Sequence, residues 1–349
     1  MKAFHLLLLL VLAVGLSACG SSRAHFVYVV GQTAQAIYGF EENNSSGALT
    51  PISGTQFSTG GIPVAFEVTP NRTFAYVVSA GGNGVAGYTF TQKTGVLTLA
   101  NGAVATGANP VALAIDPGSQ HVYVLNQGSS SVSAYSIDST TGALTALSGS
   151  PYATIANPVS MALTVKGNAL YVVSPTQGLA AFTVNADGTL SGGTTAVAAG
   201  GSPSSVAVHP NGNFVYVADS SGNDVLTFTA SGTSLTAMGS AIAAGTGPTG
   251  LAVDPQGKFL FAANQGSNNV SVYGIGSSGA LAQASGSPFA VGTAPVFTVV
   301  DHAGNHVFVA DHGSNDIAEF SIAGNGSLSA VSGSPMAVQT TPTWIAVTD

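Results

Sequence analysis

A proline that opens an apolar strand, followed by a polar turn and an aromatic strand, recurs seven times along the chain, and no other feature restricts the fold as strongly. The prolines are Pro63, Pro110, Pro158, Pro203, Pro248, Pro295 and Pro342, spaced by 47, 48, 45, 45, 47 and 47 residues. One aromatic column runs through Tyr28, Tyr76, Tyr123, Tyr171, Tyr216, Phe261 and Phe308. A second follows ten to twelve residues later, through Tyr38, Tyr88, Tyr135, Phe182, Phe228, Tyr273 and Phe320. Three columns with one period mark a repeat fold.

The unit from Pro248 to Thr293 shows what is repeated. The apolar run Leu251 to Val253 ends at Asp-Pro-Gln-Gly, where proline fixes φ and Gly257 can take φ > 0, so the chain reverses. The runs Phe259 to Ala263 and Val270 to Ile275 end in polar turns, and Leu281 begins a fourth strand. Four short strands joined by short turns predict one antiparallel sheet. Such a sheet has two apolar faces and cannot cover both alone, whereas copies stacked around an axis cover one another. The expected fold is all-β, a seven-bladed β-propeller of four-stranded blades. Residues 25–60 supply a blade without its first strand, and Thr343 to Val347 supply a first strand without its blade. The C-terminal strand is therefore expected to close the ring by pairing into the first blade, leaving no open edge.

The repeat pattern is proline, apolar strand, Asp-Pro-x-x-Gly, aromatic strand, Asn or Asp, Gly-Ser, as in VDPQGKFLFAANQGSNNVSVY. In this it resembles the seven-bladed lactonase propellers, 6-phosphogluconolactonase-like, and the related YVTN surface-protein repeats, over about residues 25–349. The resemblance implies a propeller and, for the enzymatic members, hydrolysis of a sugar lactone. It also implies a histidine after the opening proline and an arginine in the lower turn. This chain instead reads Pro-Ser-Ser at 203–205, Pro-Val-Phe at 295–297 and Gly-Asn-Phe at 212–214.

At the N-terminus, Lys2 precedes an apolar core from Leu6 to Val14, and Leu16, Ser17, Ala18 and Cys19 follow in the order of a bacterial lipoprotein signal. The core is shorter than the roughly 20 residues a spanning helix needs. The expected organisation is a signal segment over residues 1–18, an acylated Cys19 with a short tether to residue 24, and one propeller over residues 25–349. Cys19 is the only cysteine, so no disulfide forms within a monomer. The protein is thus expected in the bacterial cell envelope, on the periplasmic side or the outer surface, held to the membrane through its lipid anchor alone.

Six basic and fourteen acidic residues give a formal net charge of −8, which argues against a nucleic-acid binder, since such proteins carry a basic footprint. The expected partners are an envelope glycan, peptide or protein, or a small lactone, with the protein a monomer. No cofactor is expected unless a hard cation such as Ca²⁺ binds among turn oxygens.

The first strand of a propeller blade lies innermost. The proline turns and the turns after second strands thus gather on one mouth, the upper, and the Asp-Pro turns on the lower. Arg72, Lys166 and Lys258 belong to the lower turns. The upper mouth is acidic and amide-rich: Asn126, Asp219, Asn264 and Asp311 end second strands, and His312 follows. Asn126, Asp219 and Asn264 are candidate ligand-binding groups; Asp311 and His312 are candidate orienting group and acid. Asp and Asn also bond their own turn amides in ordinary loops. Glu67 stands four residues after Pro63, where the other units carry Ala114, Ala162, Ala207, Ala252, Val299 and Ala346. A carboxylate beside the axis is either a candidate general base or a hydrogen-bonded structural group. His25, His121, His209, His302 and His306 all map to the lower half and, apart from His302 and His306 within one turn and next to His25 of blade 1, to different blades; this is read as a chance pair and not as a zinc site, which needs three or four converging ligands.

Three readings follow: a lipid-anchored binding or interaction module, a lactone hydrolase of the carboxylic ester hydrolase class, and a structural envelope protein. The lipoprotein signal generates a direct test. Cys19→Ala is expected to abolish metabolic palmitate labelling and leave an unprocessed precursor; labelling that persists in the variant contradicts the assignment.

Overall fold

The computed structural model describes residues 24–59 and 61–348. The expected signal segment, Cys19 and the tether up to residue 23 lie outside the described residues. Seven antiparallel sheets follow one another around an axis. Blade 1 combines His25–Gly31, Ala36–Glu42 and Leu49–Ser58 with the C-terminal Pro342–Val347. Blades 2, 4 and 5 begin at Pro63–Val68, Ser160–Leu163 and Pro203–Val208 and contain four strands each. Blades 3, 6 and 7 begin at Pro110–Ile115, Pro248–Val253 and Pro295–Val300.

In blades 3, 6 and 7 the outermost strand is split in two, for a reason written in the sequence. Each carries Ser-Gly-Ser-Pro, and proline has no N–H to continue a ladder. The serine before the proline substitutes. Ser150, Ser287 and Ser334 accept through Oγ from the main-chain N–H of Ala134, Val272 and Glu319 at 2.9, 2.9 and 2.8 Å.

The ring closes as the strand count requires. Val27 to Val30 pair antiparallel with Val347 to Trp344, and Thr348 exchanges hydrogen bonds with Phe26, its N–H donating to the Phe26 carbonyl and its Oγ1 accepting from the Phe26 N–H. Ile345 is buried in the core between blades 7 and 1.

The first aromatic column is fully buried and stitches blade to blade. Tyr28, Tyr76, Tyr123, Tyr171 and Tyr216 donate their hydroxyls to the carbonyls of Gly95, Gly142, Gly188, Gly232 and Gly279, each in the next blade. Buried phenols need such a partner. All five glycines have positive φ, from 59° to 82°, which suits glycine and brings the turn close to its neighbour. In blades 6 and 7 the column is Phe261 and Phe308, which have no hydroxyl to give.

The lower turns of blades 3, 6 and 7, Asp-Pro in the first two and Asp-His in the third, are capped by their own aspartates. Asp116 Oδ1 accepts from the N–H groups of Gln120 and His121, and Asp301 Oδ1 from those of Asn305 and His306. Asp254 does the same at its turn.

Removal of residues 342–349 exposes the edge of blade 1 and strips Ile345 from the core. Burial of one such side chain is worth about 1.5–3 kcal/mol, and the edge strand is lost as well. The truncated protein is expected to melt at a markedly lower temperature; a melting curve that coincides with the intact chain contradicts this closure.

Candidate functional site

The inner strands run from their opening prolines at the upper mouth to the Asp-Pro turns at the lower, and at the lower end they enclose a cavity of about 520 Å³. All seven blades contribute to its wall. Glu67 lines it, with Arg72 and His302 at its rim and Ile115, Val208 and Val253 among its apolar lining. A volume of this size suits a small organic ligand.

Trp344 forms the floor. It occupies the third position of its inner strand, where other blades carry Ala65, Ala112, Ser160, Ser205 and Gly250, and the neighbouring blade 7 carries Phe297. The indole stacks on Phe297, with ring centroids 4.4 Å apart and planes inclined by 29°, and packs against the cores of blades 2 to 4. Two large rings among small residues fill the axis at mid-height, leaving the lower half open.

Glu67 faces this space because side chains alternate along a strand and those two and four residues beyond the proline share the axial side. Its Oε2 accepts a hydrogen bond from the Ile115 N–H of the next blade at 3.1 Å. The side chain is half-buried, in contact with the cavity and crowded by the surrounding inner strands. Desolvation therefore raises its carboxyl to about 8, with the Ile115 N–H opposing the shift. A carboxyl that changes charge near neutrality is chemically able to take up and release a proton at working pH.

The upper-mouth candidates are arranged differently. Asn126 is buried, accepts from Thr106 Oγ1 at 2.7 Å and donates to Ser133 Oγ at 3.0 Å. Asp219 is buried at the matching position; burial alone would raise its carboxyl, but the N–H groups of Gly201 and Ser202 and the Ser221 hydroxyl hold it below the usual range. Asn264 donates to Asn269 Oδ1 at 2.8 Å and Ser271 Oγ at 2.9 Å. Asp311 accepts from the Gly292 N–H at 3.0 Å, and burial, reinforced by the neighbouring Asp316, raises its carboxyl. His312 is half-buried, its main-chain N–H bound to the Ala294 carbonyl at 3.2 Å. These groups brace the loops between blades.

Glu67 does not meet them. Asp311 pairs with Pro295 at the upper end of blade 7, whereas the residue equivalent to Glu67 in that blade, Val299, lies four residues lower. At about 3.3 Å per residue this is roughly 13 Å along the axis. The structure thus separates Glu67 from Asp311 and His312, and the cavity opens at the mouth that carries Arg72 and His302.

A second ionisable cluster lies at the seam between blades 7 and 1, where the spacing of the histidines gave no sign of one. His306 Nδ1 stands 3.2 Å from Asp301 Oδ2 and 3.0 Å from Glu42 Oε1, with all three residues buried. Burial alone would lower the imidazole, but Asp301 and Glu42 raise it to about 9. Glu319, buried on the same face of blade 7, is raised to about 8 by desolvation and by Glu42, against the influence of His306. Glu42 was invisible to sequence reasoning because it lies at the opposite end of the chain and ring closure alone brings it here.

With fold and cavity established, the comparisons with known proteins can be placed. The family model described as lactonase, 7-bladed beta-propeller, matches residues 21–161, 147–232 and 189–297, and the chain belongs to that family. No curated protein matches it in sequence. Among solved structures, it is similar to a candidate 6-phosphogluconolactonase of Bacteroides uniformis, with a TM-score of 0.81 at 19% identity over 93% of this chain and 100% of the other. A second from Bacteroides fragilis gives 0.80 at 21% identity over 95% and 99%. The periplasmic gluconolactonase of Pseudomonas aeruginosa gives 0.76 at 17% identity over 94% and 99%. At these identities the structures share the fold.

The raised Glu67 carboxyl fixes the sign of a pH effect. Between the unfolded value near 4.5 and the folded value of about 8, the native state binds more protons, so its stability falls as pH rises. The contribution is complete below pH 4.5 and lost as pH passes through 8. Glu67→Gln keeps the shape and removes the titration. The melting temperature of the variant relative to the wild type is expected to climb from pH 5 to pH 9; a constant difference contradicts the buried-acid assignment.

Proposed function

We propose that the protein is a lactone hydrolase of the ester hydrolase class, acting on a small sugar lactone without a phosphate group in the lower axial cavity. The observation that carries this reading is Glu67, a carboxyl raised to about 8 in a cavity of small-molecule size, within a chain of the lactonase family. The gluconolactonase name of the Pseudomonas aeruginosa neighbour supports the neutral substrate, as does the state of the arginine at the rim. Arg72 donates to the carbonyls of Ala24 and Gln92 and lies 5.4 Å over the Phe90 ring, so its guanidinium serves the fold where a phosphate clamp would need it.

The chemistry is balanced with water alone. Ionised Glu67 accepts a proton from a water molecule as its oxygen bonds to the lactone carbonyl carbon. The tetrahedral intermediate collapses, the bond to the ring oxygen breaks, and the proton held by Glu67 passes to that oxygen. The product is the open hydroxy acid. The apolar lining, including Val208 and Val253, limits competing solvent and keeps the carboxylate basic.

The lipoprotein order of residues 16–19 supports a location in the cell envelope, with Cys19 as the acylated residue. A lipid-anchored hydrolase of this kind meets lactones formed or arriving outside the cytoplasm.

The test is lactone disappearance above the buffer rate, with glucono-δ-lactone and its 6-phosphate supplied separately. Turnover of the neutral lactone is expected, rising with pH through about 8, and Glu67→Gln is expected to lose about 10² to 10⁴ of it. His312→Ala is expected to retain turnover. Absence of turnover on the neutral lactone, or full activity in Glu67→Gln, overturns the proposal; faster turnover of the phosphorylated lactone overturns its substrate class.

A further inference from the structure

We propose that Glu42, Asp301 and His306, with Glu319 buried beside them, form a binding site for one divalent transition-metal ion of the zinc type at the seam between blades 7 and 1, apart from the axial cavity. The donor set is mixed nitrogen and oxygen, which suits Zn²⁺. One ligand atom each from Glu42, Asp301 and His306 lies within 4.8 Å of the others. In a tetrahedral site with bonds of about 2.0–2.1 Å, neighbouring donors stand about 3.3 Å apart. His306 Nδ1 already stands 3.0 and 3.2 Å from its two carboxylate oxygens, so shifts of tenths of an ångström would admit an ion.

The oxygens left without hydrogen bonds point the same way. His306 Nδ1 makes its hydrogen bond to Asp301 Oδ2, and Glu42 Oε1 receives none although it is buried beside the imidazole. Glu319 Oε1 is likewise buried without a hydrogen-bond partner. Glu319 pairs with Phe308, two residues beyond His306 on the same strand, so both side chains stand on the face of blade 7 that meets blade 1. Glu42 Oε1 has the His306 ring as its charged neighbour, whereas a buried carboxyl oxygen with no hydrogen-bond partner, as at Glu319 Oε1, is costly unless something positive lies near it.

Two carboxylates, Glu42 and Asp301, converge on the single imidazole of His306. An ion would take the place of the Nδ1 proton and bind these three side chains, with Glu319 close enough to interact with Glu42 and His306. The other groups nearby are already assigned. Asp301 Oδ1 accepts from the N–H groups of Asn305 and His306, which fixes the carboxylate and leaves Oδ2 for the ion. The imidazole is fixed by Gly47 of blade 1, where a Cβ would come within 2.7 Å of its Cδ2. This seam also lacks the tyrosine-to-glycine bond, since Phe308 replaces tyrosine. A metal would supply the missing stitch between the two ends of the chain.

The experiment is calorimetric titration of the chelator-treated full chain with ZnCl₂ at pH 8, with MgCl₂ as control, followed by melting curves. Wild type is expected to bind one equivalent of Zn²⁺, to release protons on binding, and to melt at a higher temperature in a way that saturates at one equivalent. Glu42→Gln and His306→Asn are expected to lose that equivalent while Glu67→Gln keeps it, which separates this site from the proposed hydrolytic one. Should either seam variant fail to fold, cobalt substitution of wild type provides the readout: visible d–d absorption with nitrogen and oxygen ligands is expected. No saturable zinc binding by wild type, or binding unchanged in both folded variants, overturns the proposal.

Discussion

The hydrogen bond from a buried tyrosine hydroxyl to a glycine carbonyl in the next blade is the contact on which the rest of the ring depends. It occurs at five successive seams, from blade 1 to blade 6; each ties an aromatic core residue to a glycine of positive φ, and at Gly95, Gly142, Gly188 and Gly279 the approach also leaves no room for a Cβ. A Cβ at Gly142 would lie 2.5 Å from the Phe74 ring, and one at Gly279 would lie 2.3 Å from the Phe214 ring. Blade spacing is thereby set by the aromatic of one unit and the glycine of the next. Burial raises these phenols well above their ordinary range, so they remain donors at any physiological pH.

That spacing brings the inner strands close enough for side chains to bridge them. Ser160 Oγ accepts from the Val206 N–H, and Ser205 Oγ from the Leu251 N–H at 3.1 Å. Glu67 does for blades 2 and 3 what these serines do elsewhere, but one turn of the alternation lower and with a carboxylate. The structural and the functional roles of Glu67 are therefore compatible: one oxygen braces the ring while the side chain borders the cavity. Trp344 and Phe297 decide where that cavity is, because they fill the axis above Glu67. The shape and lining of the cavity thus rest on three departures from two neighbouring columns of otherwise small or aliphatic residues.

Much of this was legible before any coordinates. Seven prolines and two aromatic columns specify the number of blades, and the half-units at the two ends specify how they close. Glu67 was legible as the charged exception among alanines and a valine. Trp344 and Phe297 are large exceptions in the neighbouring column, a signal that was present in the sequence but was not among the expectations drawn from it. The position of the cavity was not legible, because it follows from how two rings stack across the axis. The bracing by Asp219 and Asp311 depends on which turn amide each reaches, and that by Asn126 and Asn264 on which neighbouring side chains each meets. The seam cluster was hidden for a different reason, since Glu42 and His306 become neighbours only when the ring is complete. Ser-Gly-Ser-Pro was visible in three units, but that its serine takes over a ladder bond is a matter of geometry.

The account places lactone chemistry at the Asp-Pro mouth beside Glu67. The most direct measurement is a crystal structure with the lactam analogue of gluconolactone, whose ring amide resists hydrolysis. The account predicts the analogue in the lower cavity, between the Trp344 indole and the lower mouth, with its carbonyl carbon within one water molecule of the Glu67 carboxylate. Density for the analogue at the upper mouth beside Asp311 and His312, with the lower cavity empty, would contradict it.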